Sequence, residues 1–348
     1  MRILVVGLGS MGRRRLRCLT HIGGHDLAGL EPSAERAAAV GEEFSMPTFP
    51  SFEEALKWEP EALVISTPPD LHLPFALQAA RHGLHFFTEA SVVPEDTTEL
   101  EVLADQQGIV AAPSCTMRFH PAVGVLRRRI EEGAVGRVLA VTHHVGQYLP
   151  DWHPWEDYRN YYVSKRETGA AREIVPFELN WMAHLFGPVT AIAGFQGKLS
   201  SLEVDIDDLY SQLVAFGSGV QGTLVVEVVS RPAIRQARII GEDGTLIWDW
   251  NDRCVREWTA ASGEWVTHED PAPIAGPGGD WVSENMYIAE MEGYLAAIGG
   301  DRAAYPFSLA EDRHLLGALA AAERSWAQRS WVDVDGAGAD QASRSTAL

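Results

Sequence analysis

The sequence predicts an α/β chain in two parts: a doubly wound parallel sheet, then an α+β domain with a large, mostly antiparallel sheet. Three observations predict it. Through the first ~115 residues, short apolar runs alternate with helical patterns, the rhythm of βαβ units. After Pro121 the runs lengthen and are joined by hairpin signals, Gly217-Ser218-Gly219 and Asp243-Gly244. The length, 348 residues, suits about two domains. The expected divisions are 1–117, 118–335 and a small, polar, disordered tail at 336–348.

The elements follow in order. Residues 3–7 read as a buried strand and 11–22 as the helix after it. Residues 27–31 are a second strand, and 34–43 a helix entered from Pro32-Ser33. The apolar run 62–67 stops at Pro68-Pro69. Asp70 is then expected to cap a helix that Gly83 ends. A strand at 84–88, a helix at 97–107 closed by Gly108, and a strand at 109–112 complete the first part. The second opens with a helix at 121–132. Strands are expected at 138–148, 190–197, 210–216, 222–229, 238–240 and 246–249. Helical patterns lie at 174–186, 284–298 and 309–328, and there is no internal repeat.

Composition excludes several functions. The chain has 28 Lys+Arg against 48 Asp+Glu, a net charge of −20. A nucleic-acid partner or an anionic membrane surface needs the opposite sign. Apolar runs fall short of the ~18 residues of a membrane span. Cys18, Cys115 and Cys254 are too few and too scattered for a disulfide framework or a zinc site, which suits the cytoplasm. Residues 1–7 do not read as a signal peptide. No spacing of His, Asp, Glu and Cys points to a metal.

The sharpest motif is Gly7-Leu8-Gly9-Ser10-Met11-Gly12, a G-x-G-x-x-G that follows a strand and opens a helix. In that setting the first glycine allows a tight turn and the second a close approach of pyrophosphate. The third lets helix pack on strand. Glu31, at the end of the second strand, is placed to accept hydrogen bonds from ribose hydroxyls and to repel a 2′-phosphate. The expected cofactor is therefore NAD rather than NADP, on a Rossmann-type domain. Arg13, Arg14, Arg15 and Arg17 crowd the same helix, as a solvated face or as phosphate neutralisers.

Further motifs accumulate along the chain. Thr67-Pro68-Pro69-Asp70-Leu71-His72 sits at a strand's carboxyl end, where open parallel sheets bind ligands. Arg118-Phe119-His120-Pro121, Gly136-Arg137-Val138, Gly241-Glu242-Asp243-Gly244-Thr245 and Met286-Tyr287-x-x-Glu290 follow. Over roughly residues 1–330 the chain resembles the glucose–fructose oxidoreductase / inositol dehydrogenase / MocA family. The stretch from Val145 to Arg159 is similar to a branch found among sugar and sugar-nucleotide enzymes. The resemblance implies a tightly held nicotinamide cofactor, hydride exchange at a sugar or cyclitol carbon, and a homodimer or homotetramer. It places Gly7–Gly12, Glu31, Thr67, Pro68, His72 and Glu89 at the cofactor.

Two catalytic signatures of that family are altered. Its Glu-Lys-Pro reads Glu89-Ala90-Ser91 here, and alanine has no proton to trade. The chain has three lysines, Lys57, Lys165 and Lys198, of which Lys165 alone precedes the expected active-site helix. The family's Asp and His, four residues apart on that helix, align with Glu173 and Phe177, with Asn180 one turn on. Glu178 is the surviving acid if the register slips by one. Pro176 places the start of the helix proper near itself. The candidate catalytic residues are thus Glu173, Glu178, Lys165 and Tyr162. Arg118, His120, Tyr161, Phe177 and Asn180 are candidates for substrate contact. Each has a plainer reading: Tyr161 and Tyr162 as wall aromatics, Arg118 and His120 as supports of the domain junction. His143-His144 in a strand face opposite ways. The eleven tryptophans, among them Trp152, Trp155, Trp181 and Trp281, stack on sugars or fill core.

The expected activity is an NAD-dependent oxidoreductase acting on a sugar, cyclitol or related small polar substrate, with rebuilt acid/base residues. One alternative is elimination or epimerisation through transient oxidation. Another is a catalytically silent member that binds cofactor.

Overall fold

A computed structural model describes residues 1–92, 96–154, 156–274, 276 and 283–334. Trp155, Trp281 and the tail at 336–348 lie outside them. In chain order the elements are β1 (Arg2–Val6), α1 (Ser10–Ile22), β2 (Asp26–Leu30), α2 (Ala34–Phe44), β3 (Thr48–Phe49) and α3 (Phe52–Leu56). Then come β4 (Ala62–Ile65), α4 (His72–Arg81), β5 (His85–Thr88), α5 (Thr98–Gln107), β6 (Ala111–Pro113), α6 (Pro121–Glu131), β7 (Val138–Gly146) and α7 (Ala170–Phe186). The rest are β8 (Val189–Gly197), β9 (Leu209–Phe216), β10 (Gln221–Glu227), β11 (Ile234–Gly241), β12 (Gly244–Asp249), β13 (Cys254–Thr259), β14 (Trp265–Glu269), α8 (Asn285–Ile298), α9 (Leu309–Gln328) and β15 (Val332–Asp333).

The chain forms two compact units, one of residues 1–119 and 273–313, the other of 120–272 and 314–348. In the first, six parallel strands run in the order β3-β2-β1-β4-β5-β6. The order reverses at β1 and β4, and a doubly wound sheet binds ligands at the carboxyl ends of those strands. Both strands read as unbroken apolar runs because helices cover both faces. Leu4, Val6, Leu63, Ile65 and Phe86 meet Phe52, Ala76, Ala79 and Leu100 in one core, nearly closed to solvent.

The second unit holds nine strands in the order β14-β13-β12-β11-β7-β10-β9-β8-β15. All neighbours are antiparallel except β7 and β10. Burial alternates along β9, so one face lies against α7 while the other is open. Among the described residues no helix is long and apolar enough to cross a membrane.

Several expectations are corrected. Asp70 caps nothing: it lies inside a 3₁₀ turn (Pro69–Leu71), and α4 starts at His72 without a side-chain cap. Pro176 does not mark a helix start, since α7 begins at Ala170 and runs through it. The short β3 and α3, and the hairpin of β13 and β14, have no counterpart in the apolar pattern. β11 is longer than expected because Arg235, Gln236 and Arg238 mask its alternation. The segment holding α8, read as part of the second domain, packs in the first unit. The reason is Glu290, fully buried, which accepts hydrogen bonds from Arg15, Ser114, Thr116 and the Cys115 amide.

Candidate active site

The glycine turn is built for an anion. Gly7 has φ +85°, and a Cβ there would meet the Ser66 carbonyl oxygen at 2.8 Å. Gly12 lies so close to the Gly7 carbonyl that no side chain fits. At Gly9 a Cβ would project into open space. The first turn of α1 has no acidic side chain, and Gly9 offers no side-chain cap. The positive end of the helix dipole therefore meets that space. Leu8 is buried, Ser10 exposed and Met11 partly buried.

Two further observations suit a dinucleotide. Thr67, after β4, has a buried Oγ1 with no hydrogen-bond partner among the described residues. Glu31 is buried at the end of β2 and accepts the amides of Leu8 (3.1 Å) and Ser33 (3.0 Å), with Arg36 at 3.1 Å. Burial opposes its charge, but those amides and Arg36 outweigh it and hold the pKa below the ordinary value. A carboxylate oriented by backbone donors keeps lone pairs for ribose hydroxyls. The residues present fit the group that the fold implies.

The rest of this half serves position. His72, kept neutral by burial, bonds through Nε2 to the Thr67 carbonyl (2.9 Å) and so ties the exposed Pro68 turn to α4. Glu89 is gripped at both oxygens by Arg15 (2.7 and 2.8 Å) and also by Ser66. Arg15 is fully buried, bonds to Glu290 at 2.8 Å, and lies over the rings of Phe87 and Tyr287. It is neither a solvated side chain nor a phosphate ligand. Arg14 and Arg17 pair with Glu284, and Arg13 pairs with Glu43. Arg118 is also inward: it bonds to the Pro306 carbonyl and Glu311 and stacks on Phe307. That geometry makes it a latch within the first unit.

In the second unit, Glu173 stands in the first turn of α7. The Tyr162 hydroxyl donates to its Oε1 at 3.3 Å, while Oε2 is buried without a partner among the described residues. Burial, little offset by that one bond, lifts its pKa to about 7. Tyr161 packs on Tyr162 and stacks on His153. Among the described residues its hydroxyl is buried without a partner, and burial with the charges of Glu156 and Glu173 lifts its pKa to about 12. Lys165 is exposed in the loop before α7. Phe177 is partly buried one turn past Glu173, and Asn180 is buried beyond it.

Glu178 has a different setting. It is fully buried, with Arg235 at 2.8 Å from Oε1, and the His143 Nε2 (2.7 Å) and Trp181 Nε1 (2.8 Å) on Oε2. Burial opposes its charge, yet Arg235, His143 and Trp181 bring the pKa down to about 2. His143 is buried in the same group, and His144 faces the other side of the sheet toward Glu227. His120 caps α6 by accepting the Ala122 amide at Nδ1 (3.1 Å) and packs against Trp248 and Trp250. Burial, with Arg235 nearby, lowers its pKa to about 3, so it is a neutral cap.

Residues 1–113 match the family described as an oxidoreductase family with an NAD-binding Rossmann fold, and 123–247 match the GFO/IDH/MocA C-terminal domain. The chain belongs to the GFO/IDH/MocA oxidoreductase family. It is 24% identical over 352 residues to levoglucosan dehydrogenase of Pseudarthrobacter phenanthrenivorans, covering 87% of this chain and 88% of that one. Inositol 2-dehydrogenase of Corynebacterium glutamicum is 29% identical over 147 residues, 40% of this chain and 43% of its own. A solved levoglucosan dehydrogenase in complex with NADH superposes with a TM-score of 0.82 at 19% identity, over 96% of this chain and 99% of that one.

The sequence reading grouped Glu173, Glu178, Lys165 and Tyr162; within the GFO/IDH/MocA frame the structure joins Tyr162 to Glu173 by one hydrogen bond and gives Glu178 other partners. That reading missed Arg235, Arg36 and the burial of Arg15. For Arg235 the signal was present: it shares a strand face with Ala237 and Ile239, which are buried.

Proposed function

We propose that this protein is an NAD-dependent oxidoreductase acting on a sugar, cyclitol or related small polar substrate, with Glu173 as its proton-transfer group. The observation that carries the reading is the state of that carboxyl: one oxygen held by Tyr162, the other buried and unpartnered, and a pKa of about 7. A general acid/base works best with a pKa near the operating pH and contributes roughly 10²–10⁴ in rate. In the oxidative direction Glu173 takes the hydroxyl proton; in reverse it returns it. Tyr162 fixes the carboxyl's orientation, and the free Tyr161 hydroxyl is a donor for a substrate oxygen. The dinucleotide, when bound, gives or accepts the hydride. The glycine turn, Thr67 and Glu31 hold it, and the ionised Glu31 favours NAD over NADP.

Three candidates take supporting parts in this reading. Glu178 holds Arg235, His120 caps α6, and Glu89 anchors Arg15. Leu213 and Ile240, exposed on the sheet, support a homodimer or homotetramer. A second reading, elimination or epimerisation through transient oxidation, is favoured by Ala90, which offers no proton where the family has lysine.

The test measures NADH and NADPH binding by fluorescence, then pH–rate profiles of the wild type and Glu173→Gln on a panel of polyols. The expected result is tighter NADH binding and an inflection near pH 7 that the variant loses together with most of kcat. An unchanged profile in Glu173→Gln overturns the assignment. Turnover of substrate without net change in NADH selects the second reading.

A further inference from the structure

Arg235 enters the inner face of the second unit's sheet from β11 and is fixed there on three sides. Its guanidinium carbon lies 4.5 Å from the Trp250 ring centre and 6.0 Å from that of Phe177. Its Nη2 is 2.8 Å from Glu178 Oε1. Glu178 is itself immobilised by His143 and Trp181. The fork is thus held rigid, but only part of it is used. Nε is buried with no acceptor, and among the described residues no acceptor meets Nη1. The side chain keeps 14% of its surface open. An arginine has five N–H donors in a planar fork that matches carboxylate and phosphate.

His143 holds Glu178 in place: its ring nitrogens lie 2.9 Å from the Gln236 carbonyl oxygen and 2.7 Å from Glu178 Oε2. Phe177, beside them, is the position where the family resemblance places an imidazole.

We infer that Arg235 anchors an anionic oxygen group, so that the substrate is an acidic sugar or cyclitol derivative. This rests on the oxidoreductase reading above. The shared chemistry is a carboxylate or a phosphate oxygen.

The test uses NADH-loaded protein and calorimetry with matched sets: hexoses and cyclitols, their uronates or acids, and their monophosphates. Acidic members are expected to bind at least tenfold tighter than neutral parents. Preference for acids marks a carboxylate, and preference for monophosphates marks a phosphate. Arg235→Lys keeps the charge and loses the fork, so the preference should fall tenfold or more while affinity for neutral parents holds. The pair Arg235→Gln/Glu178→Gln removes both charges and leaves no buried ion unpaired; it should lose the preference outright. If that pair does not fold, Arg235→Lys carries the test. Protein that binds NADH but shows no preference for any acidic member, or binds none, overturns the anion assignment. So does a folded variant that keeps the preference. Failure to bind NADH overturns the oxidoreductase reading instead.

Discussion

Replacing Glu173 by glutamine should make the protein more stable, and only at high pH. The group's pKa rises from 4.5 in the unfolded chain to about 7 in the fold, because burial disfavours its charge. Between those two values the native state binds the proton that the unfolded state has lost. Native stability therefore falls as pH rises through that window and levels off above 7. A span from 4.5 to about 7 corresponds to about 3 kcal/mol at pH 8, as an upper bound before local relaxation. Glutamine is always neutral and keeps the acceptor for Tyr162, so it escapes that cost. Urea denaturation at pH 5 and at pH 8 reads the effect. The two proteins should differ little at pH 5, and the variant's midpoint should lie clearly higher at pH 8. Equal midpoints at both values refute a desolvated Glu173. A variant less stable at pH 8 shows that the carboxylate is paired in the native state.

Two further predictions follow from the first unit. Gly9→Val places a side chain where nothing lies within 4 Å; thermal stability should hold while fluorescence titration shows NADH affinity lost. Arg15→Met leaves Glu89 and Glu290 without their cation and should cost about 3–5 kcal/mol in urea unfolding. Adding Glu89→Gln and Glu290→Gln should recover much of that loss.

The fold was legible wherever burial imposes a period. β1 after Arg2 and the whole of β4 are apolar runs, and Gly7, Gly9 and Gly12 carry the turn between strand and helix. The hairpin of β11 and β12 announced itself through Asp243-Gly244. What stayed hidden is what charge pairing decides. Arg15 is one of four arginines on α1, and its burial depends on Glu89 and Glu290, distant in sequence. Pro176 read as a boundary because its ring removes one backbone donor, yet α7 continues through it with Val175, Leu179 and Met182 fully buried. Arg118 and His120 belong to one motif, and only their partners show that one is a latch and the other a neutral cap.

The same logic separates the two acids of α7. Glu173 and Glu178 are five residues apart on one helix, the first partly buried and the second fully, yet their pKa values lie near 7 and near 2. Burial is the largest influence on each and pushes both upward. The difference lies in what faces the carboxyl. Glu178 meets a guanidinium, an imidazole and an indole N–H, enough to stay charged at any ordinary pH. Glu173 meets one phenol, and one turn further along the helix stands Phe177 rather than a basic side chain. Phe177, at the position where the family resemblance places a histidine, withholds the positive charge that would keep its acidic neighbour ionised. A carboxyl left in that setting titrates near neutrality, where proton exchange with a hydroxyl is fastest. Restoring the cation with Phe177→His should therefore lower the Glu173 pKa. The inflection of the pH–rate profile should move below 7, and an inflection that stays in place would show that the neighbour at 177 does not set it.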